Sequence, residues 1–369
     1  MIAIIGAGIG GLAAAIALRA TGVDVCVFEQ APAFKRVGTA IAMTPNAVKV
    51  LDGLGLGEAV REFGHVPAYR ISRTWDTGEE TSRVELGSQA RGRYGASSHF
   101  LHRADLLAAL RDAVPSGIID FGKKLTGLRD DGKSVELTFE NGSNFVADGV
   151  VGADGIHSVV REEVFGLAKP TYTGMTAYRS IIPIEKMDDG DYASFVKWWG
   201  PTPQIQIVTV LLGRGQELYV FATMPGTEDA PESWSSGGEV KDLKSFFSNF
   251  HADARNIVDA CDTTLRTALY ERKPLDQWSS GNVTLLGDAC HAMTPFMAQG
   301  AAMGLEDAAI LSRCVAESDN WPSAIARYER TRIDRASKIQ LGSHQNEWLR
   351  EAGNPDWVYG FDAWRAELV

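Results

Sequence analysis

Short apolar runs flank an alanine-rich segment at the start of the chain. Ile2–Ile5 is a continuous apolar run, which is typical of a strand buried on both faces of a parallel sheet. The alanine-rich segment Leu12–Arg19 has the composition of a helix, and Gly22 is a suitable stop after it. A second apolar run, Asp24–Glu29, follows. The pattern therefore predicts a β-α-β unit at the start of the chain.

The middle of the chain is rich in strand-forming residues. The strands predicted there are Thr171–Ile184, Ala193–Trp199, Gln204–Leu212 and Glu217–Thr223. A polar stretch, 226–238, is predicted to be a surface loop. The elements predicted near the end of the chain are a strand at Asn282–Leu286 and helices at Gly300–Cys314 and from Trp321 to about Glu351.

This order of elements predicts an α/β protein. A Rossmann-like nucleotide-binding domain is interrupted by an inserted β-sheet substrate domain and is followed by C-terminal helices. The predicted parts of the nucleotide-binding domain are residues 1–70, 99–170 and, with the C-terminal helices, 269–369. The predicted parts of the substrate domain are residues 71–98 and 171–268.

Composition and charge exclude several classes of protein. The chain has 369 residues, of which 45% are hydrophobic and 22% charged, so it is neither disordered nor fibrous. A net charge of −11 without a basic cluster argues against nucleic acid and anionic membranes as partners. The apolar runs are too short for a membrane span, and the four cysteines form no C-x-x-C pair. We therefore expect a cytoplasmic protein without a metal site.

A glycine-rich turn carries the first chemical signal. Gly6, Gly8 and Gly11 fit the G-x-G-x-x-G pattern, with Gly10 as a further glycine, between the first strand and the first helix. Gly6 permits the tight turn, Gly8 lets the backbone approach a pyrophosphate, and Gly11 lets helix and strand pack closely. Glu29 ends the second strand, where an acid binds a ribose 2′-hydroxyl and repels a 2′-phosphate. The turn therefore predicts a dinucleotide site.

Two further motifs place carboxylates at the ends of predicted strands. Asp154 belongs to an Asp-Gly pair, and Asp288 to a Gly-Asp pair. An open α/β sheet binds ligands at the carboxyl ends of its strands. Asp288 is placed to bond ribityl hydroxyls, and the backbone amides of Gly300 and Ala301 open a helix that stabilises negative charge.

These three motifs, in this order, resemble those of the single-component flavoprotein aromatic hydroxylases. The resemblance runs from Met1 to about Arg350. It implies a bound FAD, O2, and NADH or NADPH that binds only transiently, because the one dinucleotide fingerprint is taken by FAD. It also implies hydroxylation, through a flavin C4a-hydroperoxide, of a small aromatic or N-heteroaromatic substrate that already carries a hydroxyl.

The resemblance also implies positions beside the flavin. Gln30 follows Glu29 in the segment that binds the cofactor. Arg103 matches an arginine that approaches the flavin, Leu125 matches a flavin-contacting position, and Pro295 matches a proline close to the flavin ring.

The substrate pocket departs from the family members that the chain most resembles. Those members have a histidine, a second histidine and a tyrosine at the positions of Ala42, Gln204 and Val208. We expect Trp199 and Gln206 to line the same pocket from predicted strands.

The group that deprotonates the substrate is left open. The candidates are Tyr178, His99 and a water molecule, unless the substrate is already anionic. Loss of a carboxyl or acyl group during hydroxylation is also open, as is the choice between monomer and homodimer. Two other functions compete with the first: a salicylate-hydroxylase-like enzyme acting on a phenolic acid, and a flavin-binding module without turnover.

Overall fold

The computed structural model describes residues 1–35, 39–166, 169–188, 190–226, 236–351 and 353–369. The strands, numbered in chain order, are β1 Ile2–Ile5, β2 Val25–Glu29, β3 Ala40–Met43, β4 Tyr69–Thr74, β5 Glu80–Glu85, β6 His99–His102, β7 Ile119–Phe121, β8 Leu125–Asp130, β9 Val135–Phe139, β10 Asn144–Ala147, β11 Gly149–Gly152, β12 Thr171–Pro183, β13 Phe195–Trp199, β14 Gln206–Leu212, β15 Glu217–Pro225, β16 Gly237–Gly238, β17 Thr264–Glu271, β18 Ser279–Ser280 and β19 Val283–Leu285.

The helices alternate with these strands mainly in the first and last thirds of the chain. They are α1 Ile9–Ala20, α2 Pro45–Gly53, α3 Gly57–Phe63, α4 Ser88–Tyr94, α5 Arg103–Ala113, α6 Val159–Phe165, α7 Val240–Phe246, α8 Ala252–Asp259, α9 Asp288–His291, α10 Gly300–Ala316, α11 Trp321–Gln345 and α12 Asp356–Tyr359. Short 3-10 turns are found at Ile184–Lys186, Gly213–Gly215 and Pro295–Met297. Within the described ranges, no helix combines the length and apolar character needed to cross a membrane.

A six-stranded sheet holds the start of the chain. Its order is β18-β19-β11-β1-β2-β7, and β1 pairs in parallel with both β11 and β2. All four residues of β1 are buried, as the continuous apolar run predicted. Helix α1 packs eight of its twelve residues into the same core. The predicted β-α-β unit and the α/β fold class are confirmed.

An eight-stranded sheet holds most of the middle of the chain. Its order is β16-β17-β12-β15-β14-β13-β4-β5, antiparallel except for the parallel pair of β13 and β4. One face contributes to the main core, and the other packs with α7 and α8 in a second core. Successive side chains on a strand point to opposite faces, so strand position decides which core a residue joins. The division into five domain segments stays a prediction.

The end of the last long helix differs from the sequence analysis. The helix predicted to run to about Glu351 ends at Gln345, because Asn346 takes a left-handed conformation with φ 50° and its amide N–H bonds the Ser343 carbonyl. The predicted surface loop 226–238 lies mostly outside the described residues.

Candidate active site

The glycine turn between β1 and α1 is packed tightly at three of its glycines. Gly6 has φ 104°, and a Cβ there would lie 2.4 Å from the Ala153 carbonyl oxygen. A Cβ at Gly11 would lie 2.0 Å from the Gly6 carbonyl oxygen, and one at Gly10 would lie 2.6 Å from a leucine methyl carbon. A Cβ at Gly8 would meet no atom within 4 Å. Packing within the chain therefore favours glycine at Gly6, Gly10 and Gly11. The absence of a side chain at Gly8 instead leaves space beside the helix N-terminus.

Glu29 holds this turn at the end of β2. Its two carboxylate oxygens accept hydrogen bonds from the backbone amides of Ala7 and Ala31, each at 2.8 Å. Each oxygen has a second lone pair, so the carboxylate can still accept a hydroxyl. The neighbouring Gln30 is exposed. Contact of these two residues with a ribose stays a prediction.

Asp154 lies against the glycine turn at the end of β11. Its Oδ2 accepts a hydrogen bond from the Val160 amide at 3.1 Å, in the first turn of α6. Its Oδ1 is buried and, within the part of the chain that the structure describes, has no hydrogen-bond partner. Burial raises the pKa of Asp154, and hydrogen bonds from Ser158 and Val160 oppose the rise. An unpartnered acceptor at this position fits a hydroxyl or amide donor on a ligand.

Asp288, Arg103 and Gly300 meet at one place although they are far apart in the sequence. Asp288 begins α9, and a Cβ on Gly300 would lie 3.9 Å from its Oδ1. The side chain of Asp288 reaches solvent, but enough protein surrounds it that burial raises its pKa. The positive charges of His291 and Arg103 oppose that rise. Ala301 follows Gly300 and is half-buried. The amides that open α10 thus lie beside a carboxylate and a guanidinium.

Pro295 and Leu125 have different surroundings. Pro295 begins a 3-10 turn ahead of α10 and is exposed, so its ring is free to meet a ligand. Leu125 begins β8 and is only 4% exposed within the main core. A ligand would reach little more than the edge of this leucine.

A buried ionic network, which the sequence analysis missed, supports the turn before α9. Asp307 accepts hydrogen bonds from the Gly287 amide at 3.0 Å, from Arg332 Nε at 2.8 Å and from His291 Nε2 at 2.6 Å. Burial raises the pKa of Asp307, but His291 and Arg332 outweigh burial and hold it below its usual range. Cys290 Sγ also lies in a cluster with His291 and Asp307, whose ligand atoms are within 4.8 Å of one another. Because Asp307 is already bound by three donors, the cluster is a hydrogen-bond network.

Glu306 extends the network to α2 and α11. It accepts hydrogen bonds from Asn46 Nδ2, Arg332 and Arg335, each at 2.8 Å. Glu306 and Arg332 are fully buried. The Glu-Asp pair in an otherwise apolar helix was a usable signal, because buried carboxylates require partners.

The side of the eight-stranded sheet that faces the main core carries several of the predicted substrate-pocket residues. Trp199 pairs directly with Gln206, and Val208 pairs with Lys197, so all four side chains share one face. Trp199 and Gln206 are buried, whereas Val208 is half-buried. Gln204 is exposed in the loop before β14, and its carbonyl accepts a hydrogen bond from a threonine hydroxyl.

Ala42 lies on the short β3–β6 ladder. It pairs with Phe100, whose ring packs 5.3 Å from the ring of Phe195 at the start of β13. Ala42 is half-buried. It therefore approaches the eight-stranded sheet from the side of the FAD-binding elements.

Tyr178 lies on the opposite face of the eight-stranded sheet from Trp199 and Gln206, with which it was expected to share the substrate pocket. Tyr178 is 4% exposed and belongs to the second core, together with Trp198 and the residues of α7 and α8. Neighbouring strand positions point to opposite faces, so Arg179 instead takes the side that faces the main core. Arg179 is hydrogen-bonded to Tyr219, which also lies on that side.

His99 likewise does not share a face with the predicted pocket residue on its own ladder. It pairs with Met43, so its side chain leaves the opposite face of the β3–β6 ladder from that of Ala42. A Cβ on Gly64, just after α3, would lie 3.0 Å from the His99 Cβ. Burial, followed by the charge of Arg61, lowers the pKa of His99 to about 4. His99 does lie on the predicted face of its strand, but helices cover that face.

Comparison with known proteins agrees with this geometry. Residues 1–341 match the family described as FAD binding domain. The chain is 40% identical to 6-hydroxynicotinate 3-monooxygenase of Pseudomonas fluorescens over 373 residues, covering 100% of this chain and 96% of the relative. It is 38% identical to the enzyme of the same name from Bordetella bronchiseptica, covering 100% and 97%.

A solved structure shares the fold. Klebsiella pneumoniae HpxO, complexed with FAD and uric acid, matches with a TM-score of 0.83 and 28% identity, covering 94% of this chain and 87% of that chain. The chain therefore belongs to the FAD-binding domain family, among its FAD-dependent aromatic-ring monooxygenases.

Proposed function

We propose that the protein hydroxylates a small aromatic or N-heteroaromatic ring that already carries a hydroxyl, using FAD, O2 and NADH or NADPH. The observation that carries the proposal is the meeting of Asp288, Arg103 and the start of α10 at Gly300. These residues come from three distant parts of the sequence, and all three were predicted to contact one flavin. The relatives named above are monooxygenases named for 6-hydroxynicotinate, and the solved structure holds FAD and uric acid, which supports a ring substrate here.

The residues present fit FAD. The open side of Gly8 admits a pyrophosphate at the N-terminus of α1, and the unpartnered Oδ1 of Asp154 lies in the adjoining turn. Asp288 is placed for ribityl hydroxyls, and the amides of Gly300 and Ala301 are placed for negative charge on the ring. When bound, FAD supplies electron transfer and oxygen activation.

The substrate ring is proposed to lie on the side of the eight-stranded sheet that faces the main core. Trp199 and Val208 offer apolar surface there, and Gln206 offers an amide. In place of Tyr178 and His99, we assign removal of the ring hydroxyl proton to a water molecule, to which the hydrogen-bonded pair Arg179 and Tyr219 can donate hydrogen bonds. Burial raises the pKa of Tyr219, and Arg179 opposes the rise.

We propose that the preferred ring carries a bulkier or less polar substituent than a carboxylate-bearing hydroxypyridine. Ala42 and Val208 stand where related members are expected to have hydrogen-bonding side chains, and Gln204 is exposed in its loop. A site built to bond a polar group rejects analogues that lack it, whereas an apolar pocket gains only about 1–3 kcal/mol per methylene. 6-Hydroxynicotinate should therefore be a poor substrate.

Steady-state assays test this proposal. Substrate-stimulated NADH and NADPH oxidation should be compared for 6-hydroxynicotinate, 3-acyl-6-hydroxypyridines and hydroxybenzoates, with product quantified. We expect the acylpyridines to have the highest kcat/KM; highest activity on hydroxybenzoates would favour the salicylate-hydroxylase-like function instead. Efficient, coupled turnover of 6-hydroxynicotinate would contradict the pocket argument.

Engineered variants sharpen the same test. Val208→Tyr restores a polar side chain on the pocket face and should raise kcat/KM for 6-hydroxynicotinate. Val146→Tyr is the matched control, because Val146 is 61% exposed on β10. An equal response in both variants would show that Val208 does not face the ring. Size-exclusion chromatography with light scattering decides between a monomer and a homodimer, and cell fractionation tests the expected cytoplasmic location.

A further inference from the structure

Lys197 is a buried lysine without an acidic partner among the described residues. It lies in the middle of β13, between Ser72 on β4 and Val208 on β14. The residue is 2% exposed. Its Nζ donates one hydrogen bond, to Asn346 Oδ1 at 2.8 Å, and lies 3.5 Å from the centre of the Trp199 ring. Among the residues that the structure describes, no carboxylate pairs with this ammonium.

The nearest charges to Lys197 are positive. Arg70 is buried and directs its guanidinium to the carbonyls of Trp348 and Leu349. Arg350 lies 5.6 Å from the ring of Trp199. Burial lowers the pKa of Lys197 well below its usual range, and Arg70 and Arg350 lower it further. The site thus gathers positive charge without neutralising it, which is costly in a protein interior.

The position of Lys197 is fixed by its surroundings. Asn346 directs its Oδ1 to the ammonium because its Nδ2 donates to the Pro203 carbonyl and lies 3.4 Å from Gln206 Oε1. The ammonium has three donors, and Asn346 takes one. The ring of Phe296, which follows Pro295, has its centre 5.7 Å from Nζ. Lys197 therefore stands between the sheet wall of the pocket and the turn that carries Pro295.

We propose that Lys197 binds an anionic oxygen on the ring substrate and so selects charged rings over neutral rings of the same shape. This inference rests on the proposed function. The oxygen approaches from the side of Val208, which lies directly opposite Lys197 and is half-buried. The deprotonated ring hydroxyl is the oxygen that the proposed substrate supplies; a carboxylate shares this chemistry, because both accept hydrogen bonds and carry negative charge, but preference for the carboxylate would contradict the substituent proposed above. The missing acid in the site is then supplied by the substrate.

Calorimetric titration of FAD-loaded protein tests the inference with two pairs of probes. Salicylate against salicylamide isolates a carboxylate, and 4-nitrophenolate against 4-nitroanisole isolates a ring oxyanion. The wild type should prefer an anion over its neutral partner by about tenfold, which corresponds to one charge-assisted hydrogen bond. The pair that shows the preference identifies the source of the charge. Equal binding within both pairs, or preference for the neutral rings, would overturn the inference without any variant.

Variants separate recognition of charge from a structural role. Lys197→Met keeps the length of the side chain and should raise the Kd of the preferred anion about tenfold, with its neutral partner changed less than about twofold. Lys197→Arg should retain the preference. Lys186→Met is the control, because Lys186 is exposed and pairs with Asp262 outside the site. Equal weakening of anion and neutral ring in Lys197→Met would show a packing role and overturn the inference.

The two proposals fail differently. If none of the four rings binds the wild type, the proposed function is contradicted and the inference falls with it. If rings bind without regard to charge, the proposed function stands and only the role of Lys197 is overturned. Thermal unfolding of each variant shows whether it is folded. If Lys197→Met is not folded, the preference of the wild type for charged or neutral rings decides whether the inference stands.

Discussion

The variant Gly8→Ala tests whether glycine is required at this position for folding of the chain or for binding of FAD. Gly8 has φ −74° and ψ −178°, an extended conformation that alanine adopts, and a Cβ there meets no protein atom within 4 Å. The stability of the apoprotein should therefore change little, because the gain of about 0.4–1 kcal/mol from the stiffer unfolded chain is opposed by the poorer N-cap that alanine provides for α1. The added methyl group points into the space assigned to the pyrophosphate.

The effect on FAD binding follows from the hydrogen bonds at the helix N-terminus. Displacing the pyrophosphate should weaken at least one charge-assisted hydrogen bond, which contributes about 1.5–3 kcal/mol. The Kd for FAD should then rise roughly tenfold to 150-fold. Titrating apoprotein into FAD and following flavin fluorescence gives the Kd, and thermal unfolding of the apoprotein gives the stability.

Two further glycines provide controls. Gly92 is exposed in α4, and a Cβ there would meet none of the described atoms within 4 Å. Gly92→Ala should therefore stabilise the apoprotein and leave the Kd for FAD unchanged. Gly11→Ala puts a methyl group 2.0 Å from the Gly6 carbonyl oxygen, so it should destabilise the apoprotein itself. A Gly8→Ala protein that binds FAD as tightly as the wild type would refute the assignment of the turn.

Three other changes test the remaining parts of the account. Asp288→Ala should raise the Kd for FAD roughly tenfold to a hundredfold, because it removes a charged hydrogen-bond acceptor; calorimetry showing an unchanged Kd would contradict this. Arg103→Ala should slow flavin reduction or uncouple oxidation from product more than it weakens substrate binding, and stopped-flow rates and product yields that match the wild type would reject the role. The pKa of His99 is about 4 in the folded chain and 6.5 in the unfolded chain. As the pH falls from 6.5 to about 4, the unfolded chain therefore binds the proton before the folded chain does. Wild-type stability should then drop by up to about 3 kcal/mol more than that of His99→Gln, a difference that urea unfolding at both ends of the window would reveal or exclude.

The local parts of the site were predictable from the sequence. The glycine turn, the strand before it and the helix after it depend on neighbours a few residues away, so Gly6 and Gly11 could be assigned by their spacing. The carboxyl ends of strands also follow from the order of elements, which placed Asp154 and Asp288 correctly at strand ends.

The choice of sheet face was not predictable. Tyr178 was correctly placed on a strand, but only the packing of α7 and α8 decides that its face belongs to the second core. His99 was correctly placed on the face of its strand that it shares with Leu101, but the helix ending near Gly64 covers that face. Strand periodicity fixes which residues share a side, whereas distant elements fix which side meets the substrate.

The partners of buried charged residues could also not be predicted where the two residues are far apart in the sequence. Arg332 bonds Asp307 from 25 residues further along the chain, and Lys197 bonds Asn346 across 149 residues. Each pair forms only because α11 packs back across the sheets. The apolar context of the acidic pair Glu306 and Asp307 did require buried partners, but not these particular ones.

The central claim is that this chain uses FAD to place one oxygen atom on a hydroxylated ring. The most direct measurement is a single incubation of the FAD-loaded protein with NADH, the best ring substrate and 18O-labelled O2, with the product examined by mass spectrometry. We predict one FAD per chain, and one labelled oxygen in the product for each NADH consumed when the reaction is coupled. A protein that takes up no FAD, or a product whose new oxygen comes from water, would contradict the account.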